Sequence, residues 1–169
     1  MRVLKTPRLT LEPQVATHAD ELFAALSDPA IYEYENQPPR SLDWLRQRLA
    51  KLESRQSPDA REQWLNWVVR PHAAKLIGYV QATVFADGHA MIAYELASSH
   101  WGRGLACEAT GAMIAELRER YDVQVAMAVF KQRNSRSRRL LGRLGFHPAS
   151  PEKRVRHRVE PDEDLMLLE

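Results

Sequence analysis

Between Glu95 and Phe146 the chain sets out an acidic residue, a glycine pair and a polar stretch rich in serine and arginine, types that can hold anions and move protons. Glu95 stands among Ile92, Tyr94 and Leu96. An unpaired carboxylate is costly in such company, so Glu95 marks a pocket, where it could act as a base or contact a cationic amine, or else a structural ion pair or an exposed face. A few residues on, Trp101-Gly102-Arg103-Gly104-Leu105-Ala106 follows a strand-like run and opens a helical one. Two glycines permit a tight backbone, and the first helical turn presents unpaired amides at the positive end of the dipole. The loop therefore suits a phosphate, with Arg103 as an accompanying cation; the plain alternative is a tight connection with Arg103 solvated.

These groups need elements to hold them. Leu105, Ala109, Met113 and Leu117 recur at four-residue spacing, which predicts a helix packed on a sheet with Glu108, Glu116 and Arg118 toward solvent. Val123 to Phe130 reads as a strand buried on both faces. Asn134 or Ser135 can cap a short basic helix whose stripe is Leu140, Leu141 and Leu144, and Gly145 suits the left-handed position after it. Upstream, a strand is expected near Arg8 to Leu11. Thr17, with Asp20 three residues on, reads as the cap of a first helix through Leu22, Phe23 and Leu26, broken at Asp28-Pro29. Ser41 caps a second helix with Leu42, Leu45, Leu49 and Leu52 in line. Strands follow over Gln63 to Arg70, Lys75 to Phe85 and His89 to Ala97. Alternation from Arg154 to Val159, followed by Leu165 to Leu168, predicts a final antiparallel hairpin. Periodicity by itself supports a mixed α and β domain.

A chain of 169 residues, 44% of them hydrophobic, can bury one sizeable core, so residues 1–169 are expected to form a single domain. The 24 basic and 22 acidic residues leave a formal charge of +2, too little for a general attraction to nucleic acid or membrane. The lone cysteine, Cys107, excludes an internal disulfide and fits a reducing, cytoplasmic setting; a packing role suits it better than nucleophilic catalysis. No apolar run reaches membrane length and no signal-peptide core is visible. The six histidines, His100 and His147 among them, show no metal-ligand spacing, so no metal is expected.

Two ordered motifs carry a family resemblance. Gly104 and Ala106 close the Trp101–Ala106 loop, and Asn134, Ser137, Gly145 and Phe146 form a later Asn-x-x-Ser…Gly-Phe pattern. Together they resemble the GNAT N-acetyltransferases, in particular the branch of ribosomal-protein alanine and serine acetyltransferases. That family's loop begins with Gln or Arg where this chain has Trp101, and a Trp-Gly-x-Gly opening recurs within the branch. The resemblance is strong from Leu76 to Phe146, looser at Arg8–Pro13 and Asp164–Leu167, and says little between Asp28 and Trp64.

The resemblance implies a mixed, mostly antiparallel sheet of six or seven strands flanked by about four helices, with acetyl-CoA where the fourth and fifth strands splay. It further implies that the amides from Gly102 through Ala106 hold the pyrophosphate and that Asn134 and Ser137 approach the pantetheine arm and thiol. An amide within Leu96, Ala97 and Ser98 would meet the oxyanion. Many members use a tyrosine as general acid four residues before the Gly-Phe pair. Leu141 stands there, and Ser137 occupies the position used in the ribosomal-protein branch. Tyr32, Glu33, Tyr34, Glu35 and Trp67 fall on the acceptor side, where aromatics and carboxylates suit a cationic amine. The implied function is acetyl transfer from acetyl-CoA to a primary amine, a protein N-terminus or a small molecule, by direct attack in a ternary complex. The partners are then acetyl-CoA and the amine, with no membrane and no nucleic acid, in a monomer or homodimer. Two other readings stand beside it: a non-catalytic acyl-CoA sensor, and an RNA- or ribosome-binding module built on the basic clusters Lys131, Arg133, Arg136, Arg138, Arg139 and Arg143, and Lys153 to Arg158.

Overall fold

Alternating buried and open side chains build an eight-stranded sheet in the computed structural model, which describes residues 1–34 and 36–169. The strands are β1 (Leu4–Lys5), β2 (Leu9–Pro13), β3 (Glu62–Pro71), β4 (Gly78–Phe85), β5 (His89–Leu96), β6 (Val125–Lys131), β7 (His147–Pro148) and β8 (Glu163–Leu168). Their spatial order is β1-β2-β3-β4-β5-β6-β8-β7, antiparallel throughout except where β5 and β6 run parallel. The helices are α1 (Ala19–Leu26), α2 (Leu42–Leu52), α3 (Leu105–Tyr121), α4 (Ser135–Arg143) and α5 (Pro151–Arg156). The mixed, mostly antiparallel α/β architecture is the expected one, with a slightly larger sheet: Leu4 and Lys5 pair with Leu11 and Thr10, and His147 and Pro148 add a short edge beside β8.

The register of β4 shows how the sheet divides its labour. Val80, Ala82 and Val84 are buried on the face that receives α3, where they meet Ala90, Ile92, Ala109, Met113 and Leu117 in the main core. Tyr79, Gln81 and Thr83 point to the other face, since successive side chains of a strand alternate. There α1 and α2 cover one end through Leu22, Leu26, Leu45, Leu49 and Val68, while Met127, Leu165 and Leu167 pack the other. A polar strip lies between the two clusters. Strands β5 and β6 pair only over His89–Met91 and Val125–Met127 and then part, which opens a wedge beside the last residues of β5.

The capping predictions hold at two helices. Ser41 Oγ accepts from Trp44 N at 3.1 Å, and Asn134 Oδ1 accepts from Ser137 N at 3.0 Å. Thr17 does not cap α1: Ala16–His18 form a 3₁₀ turn that runs straight into the helix, with His18 preceding it and no side-chain cap. Glu116 is not on a solvent face either. It is 3% exposed and accepts from Arg2 Nε at 2.7 Å, an anchor supplied from 114 residues away. The first half of the predicted strand Arg154–Val159 is instead the end of α5, started by Pro151 after a Ser150 cap, the rest is a turn, and β8 pairs with β6 and β7. The segment's alternation carries only two apolar residues: Val155 is 79% exposed, and Val159 packs in part against the Met127 cluster.

Candidate active site

Gly102 and Gly104 sit at φ +74° and +76°, the left-handed region, and Gly104 is the N-cap of α3. Among the described residues no backbone amide from Gly102 to Cys107 donates a hydrogen bond. The first helical bond belongs to Glu108 N, which reaches Gly104 O at 3.0 Å. Six consecutive donors at the positive end of a 17-residue helix are thus left without an intramolecular acceptor among the described residues. The turn between β1 and β2 holds the loop in this shape. Glu108 accepts from Thr6 Oγ1 at 2.6 Å, from Arg8 N at 3.0 Å and from Arg8 Nε at 2.6 Å, and Arg8 Nη1 donates to Arg103 O at 2.8 Å. Burial opposes the charge on Glu108, but these donors outweigh it and keep the carboxyl below its ordinary range. The expected solvent position of Glu108 is therefore corrected to a brace, and Arg103, which does not line the cleft, contributes through its backbone.

The loop forms one wall of a cleft of about 750 Å³ that runs from α3 and α4 through the wedge between β5 and β6 to the face beneath α1 and α2. Leu96, Trp101, Gly102, Gly104, Leu105, Ala106, Asn134 and Ser137 all line it, as do Arg139 and Arg143; Ala97 and Ser98 do not. Trp101 Nε1 donates to Leu96 O at 2.7 Å, and the Arg136 guanidinium lies 4.3 Å from the Trp101 ring centroid. Arg136 also approaches the Tyr34 ring at 5.6 Å and pairs with Glu33, so it ties the segment after α1 to the glycine loop.

Adjacent residues on β5 then place chemistry on opposite faces. Tyr94 points to the α3 side, where its hydroxyl lies 2.6 Å from Ser137 Oγ. Glu95 points the other way and accepts from Asn36 Nδ2 at 2.7 Å and from the Tyr79 phenol. Burial pushes the Glu95 carboxyl above its usual value, against the pull of those hydrogen bonds and of the Arg48 charge. Burial and the nearby Glu95 likewise drive the Tyr79 phenol well up, which keeps it a donor.

Of the three amides expected near the oxyanion, two are committed elsewhere. Ala97 N donates to Ile77 O at 2.8 Å, and Ser98 N donates to Asp28 Oδ2 at 2.6 Å. Because amides alternate in direction along an antiparallel ladder, the bond from Ala97 turns the N–H of Leu96 away from β4 and toward the wedge.

On the acceptor side Tyr32 and Tyr34 line the cleft. The Tyr32 hydroxyl donates to Leu26 O at 2.8 Å, and burial holds its pKa far above the ordinary phenol value. Glu33 belongs to the Arg136 pair, and Glu35 lies outside the described residues. Trp67 is not brought to the cleft: it is 0% exposed in the main core, with its indole donating to Arg2 O at 3.0 Å. Its position on β3 has the parity of the α3 face, which the register decides and local sequence does not. Tyr94, Tyr79 and Asn36 are the site residues that sequence reasoning missed. Tyr79 faces Glu95 only through the β4–β5 pairing, and Asn36 reaches it across 59 positions.

Several basic residues are consumed by ion pairs: Lys131 with Asp162 and Glu163, each at 3.0 Å, Arg138 with Asp164, Arg154 with Asp164 at 3.3 Å and Lys153 with Glu169 at 2.6 Å. This weakens the case for a nucleic-acid face. Cys107 lines the cleft, half-buried. Among the described residues no group of three or more His, Cys, Asp or Glu could hold a metal, and no helix is long and apolar enough to cross a membrane.

Comparison with known proteins agrees with this architecture. The N-acetyltransferase YoaA of Bacillus subtilis is 24% identical over 147 residues, covering 85% of this chain and 82% of that protein. Among solved structures, RimL, a ribosomal L7/L12 α-N-protein acetyltransferase in complex with coenzyme A, superposes with a TM-score of 0.81 at 14% identity, covering 98% of this chain and 97% of that one. The ribosomal-protein-S5-alanine acetyltransferase of Vibrio fischeri gives a TM-score of 0.76 at 18% identity, covering 98% and 95%. The family described as "Acetyltransferase (GNAT) domain" matches residues 8–147, most of the chain, and with the open-amide loop and the parted strands in place the protein belongs to the GNAT acetyltransferases.

Proposed function

We propose that this acetyltransferase moves the acetyl group of acetyl-CoA to a primary amine by direct attack in a ternary complex. The observation that carries the reading is the pair of neighbouring residues on β5 that face opposite ways at the mouth of the open-amide loop: Tyr94 with Ser137 on one side, Glu95 on the other. The amides of Gly102 through Cys107 fit a diphosphate, and Arg139 and Arg143 supply positive charge on the same wall. Acetyl-CoA supplies an activated thioester. The Leu96 amide is turned toward the wedge, where it can stabilise the oxygen that becomes anionic as the amine nitrogen bonds to the thioester carbon.

Two protons must then leave the nitrogen, the second as the tetrahedral adduct collapses to the amide, and one must reach the sulfur. Glu95 accepts them in turn, releasing the first to solvent before the second leaves, and its raised pKa brings it closer to the working pH of a base than a solvated carboxylate would be. Ser137 Oγ gives a proton to the thiolate sulfur as the carbon–sulfur bond breaks, and the Tyr94 hydroxyl, 2.6 Å away, replaces it and is itself reprotonated from solvent, so that one net proton is released per turnover. Glu95 and Ser137 sit on opposite faces of one strand, so the entering amine and the departing thiolate do not compete for the same proton carrier.

Calorimetry with acetyl-CoA, followed by thiol release over a panel of peptides and small amines, tests this. Binding near micromolar with turnover on some amines is expected. Binding without turnover on any amine would leave a sensor, and absence of binding at millimolar acetyl-CoA would remove the reading altogether.

A further inference from the structure

The polar strip between the two clusters on the α1/α2 face is a continuous row. Gln14 N donates to Asn66 O at 2.9 Å, Asn66 pairs with Gln81 and Gln81 with Ala93, so the side chains of Gln14, Asn66 and Gln81 share one face across three strands, one step along from Glu95. The row leads out of the main cleft into a second cavity of about 240 Å³ that shares Arg48, Leu52, Asn66 and Gln81 as walls and adds Lys51. Buried amides at such a place need partners. Gln14 is 7% exposed, yet its Nε2 has none among the described residues. Above it, α2 presents Arg48 and Lys51 one turn apart. Neither forms an ion pair with a described carboxylate, although the flanking Arg46 pairs with Asp43 at 3.0 Å and Asp20 at 3.3 Å. Arg48 stays over the groove, 5.6 Å from the Trp44 ring centroid.

A buried donor without an acceptor and two cations outside any ion pair among the described residues, opposite a carboxylate that faces the reacting centre, describe a ligand with two unlike ends. We infer that the acceptor is a primary amine carrying an anionic group, the amine held at Glu95 and the anion held by Arg48, Lys51 and the side-chain amide of Gln14. Gln14 and Glu95 lie three strand spacings and two residues of register apart, roughly 16 Å between backbones, and their side chains and the α2 cations reach inward to shorten that span. The anion therefore sits several bonds from the amine. This inference rests on the transfer reading above for its chemistry, but its binding prediction stands apart from turnover.

The test compares 4-aminobutyrate and O-phosphoethanolamine with uncharged n-butylamine, and a short peptide amide with Asp at its second position with its Asn counterpart. Thiol release and calorimetry in the presence of coenzyme A are both read. The expected result is at least a tenfold preference in kcat/KM and in affinity for the anionic member of each pair. The carboxylate, phosphate and peptide arms show which source the groove prefers. In Arg48→Ala the charged-to-uncharged ratio falls toward parity, and because the lost Arg48 charge acts on Glu95 equally for both members of a pair, the ratio within the variant is what is read; Gln14→Leu, which removes the orphaned amide and keeps the bulk, lowers it in the same direction. Equal handling of charged and uncharged amines by the native protein, or an Arg48→Ala variant that keeps the native ratio, would overturn the inference. Should no amine turn over, the transfer reading fails, and calorimetry still decides whether the groove prefers anions.

Discussion

Glu95→Gln separates chemistry from architecture because the structure makes opposite demands on this residue. Glutamine keeps the volume and can still accept from Asn36 and Tyr79, so the pocket should retain its shape. What it cannot do is take a proton. An alkylammonium with a pKa of about 10.4 is neutral in only about one molecule in a thousand near pH 7.4, so loss of the base should slow an alkylamine acceptor by up to about a thousandfold, roughly 4 kcal/mol. An α-amino group near 7.7–8.0 is already neutral in about a quarter of molecules, and its loss should be only a few-fold. The acid limb of native kcat/KM should lie above the ordinary carboxyl value of 4.5, since burial raises this group, and the variant should lack that limb and recover as pH approaches the amine's own pKa.

Stability should move the other way. With its pKa raised in the folded state, native Glu95 binds more protons than in the unfolded chain between the two values. Its contribution is therefore fully present below the ordinary pKa and is lost as pH rises through the raised one. Each tenfold weakening of the acid costs about 1.4 kcal/mol at neutral pH, a cost glutamine does not carry. Thermal unfolding near pH 7.5 should show the variant no less stable than native protein, and a pH–rate profile on one alkylamine and one α-amine should show the divergence. A variant with native rates and a native acid limb would refute the base role. Equal slowing of both amines with no recovery at high pH would reduce Glu95 to a binding contact.

Three further outcomes follow from the same geometry. Ser137→Ala should lower kcat by about a hundredfold or more while leaving acetyl-CoA affinity intact, and adding Tyr94→Phe should cost little extra because the Tyr94 proton travels through Ser137; additive losses in the cycle would break that chain. Gly104→Ala forces a Cβ into φ +76°, which should cost about 1–2 kcal/mol, seen as a lower Tm and weaker acetyl-CoA binding by calorimetry; no change in either would mean that the loop relaxes freely. Glu108→Ala removes the acceptor for Thr6 and Arg8 and should cost about 1–3 kcal/mol in denaturant unfolding, with coenzyme affinity falling alongside; a stable variant of native affinity would show that the brace is dispensable.

What could be read along the chain was the part decided by near neighbours. The spacing of Leu105, Ala109, Met113 and Leu117 is a helical face, and all four are buried on α3. Gly102 and Gly104 adopt the positive φ that favours glycine, and Asn134 caps its own helix, because backbone dihedrals and hydrogen bonds three residues away are local matters. The failures are as instructive. Arg154 to Val159 alternates like a strand without an apolar face to bury, and Trp67 has an aromatic ring suited to an amine on the wrong side of β3.

Everything that joins the candidate site residues belongs to long-range pairing. Tyr94 meets Ser137 across 43 positions, and Asn36 meets Glu95 across 59. Tyr79 reaches Glu95 only because β4 and β5 lock in a register that sets those two side chains on the same face. The same register leaves the Leu96 amide pointing into the wedge while its neighbours are engaged. A one-residue slip would carry every side chain of a strand to the opposite face, and that choice is made by burial of the whole sheet. The glycine turn was thus legible as a local conformation, whereas the placement of Tyr94 with Ser137 on one face of β5 and of Glu95 on the other exists only in the folded molecule.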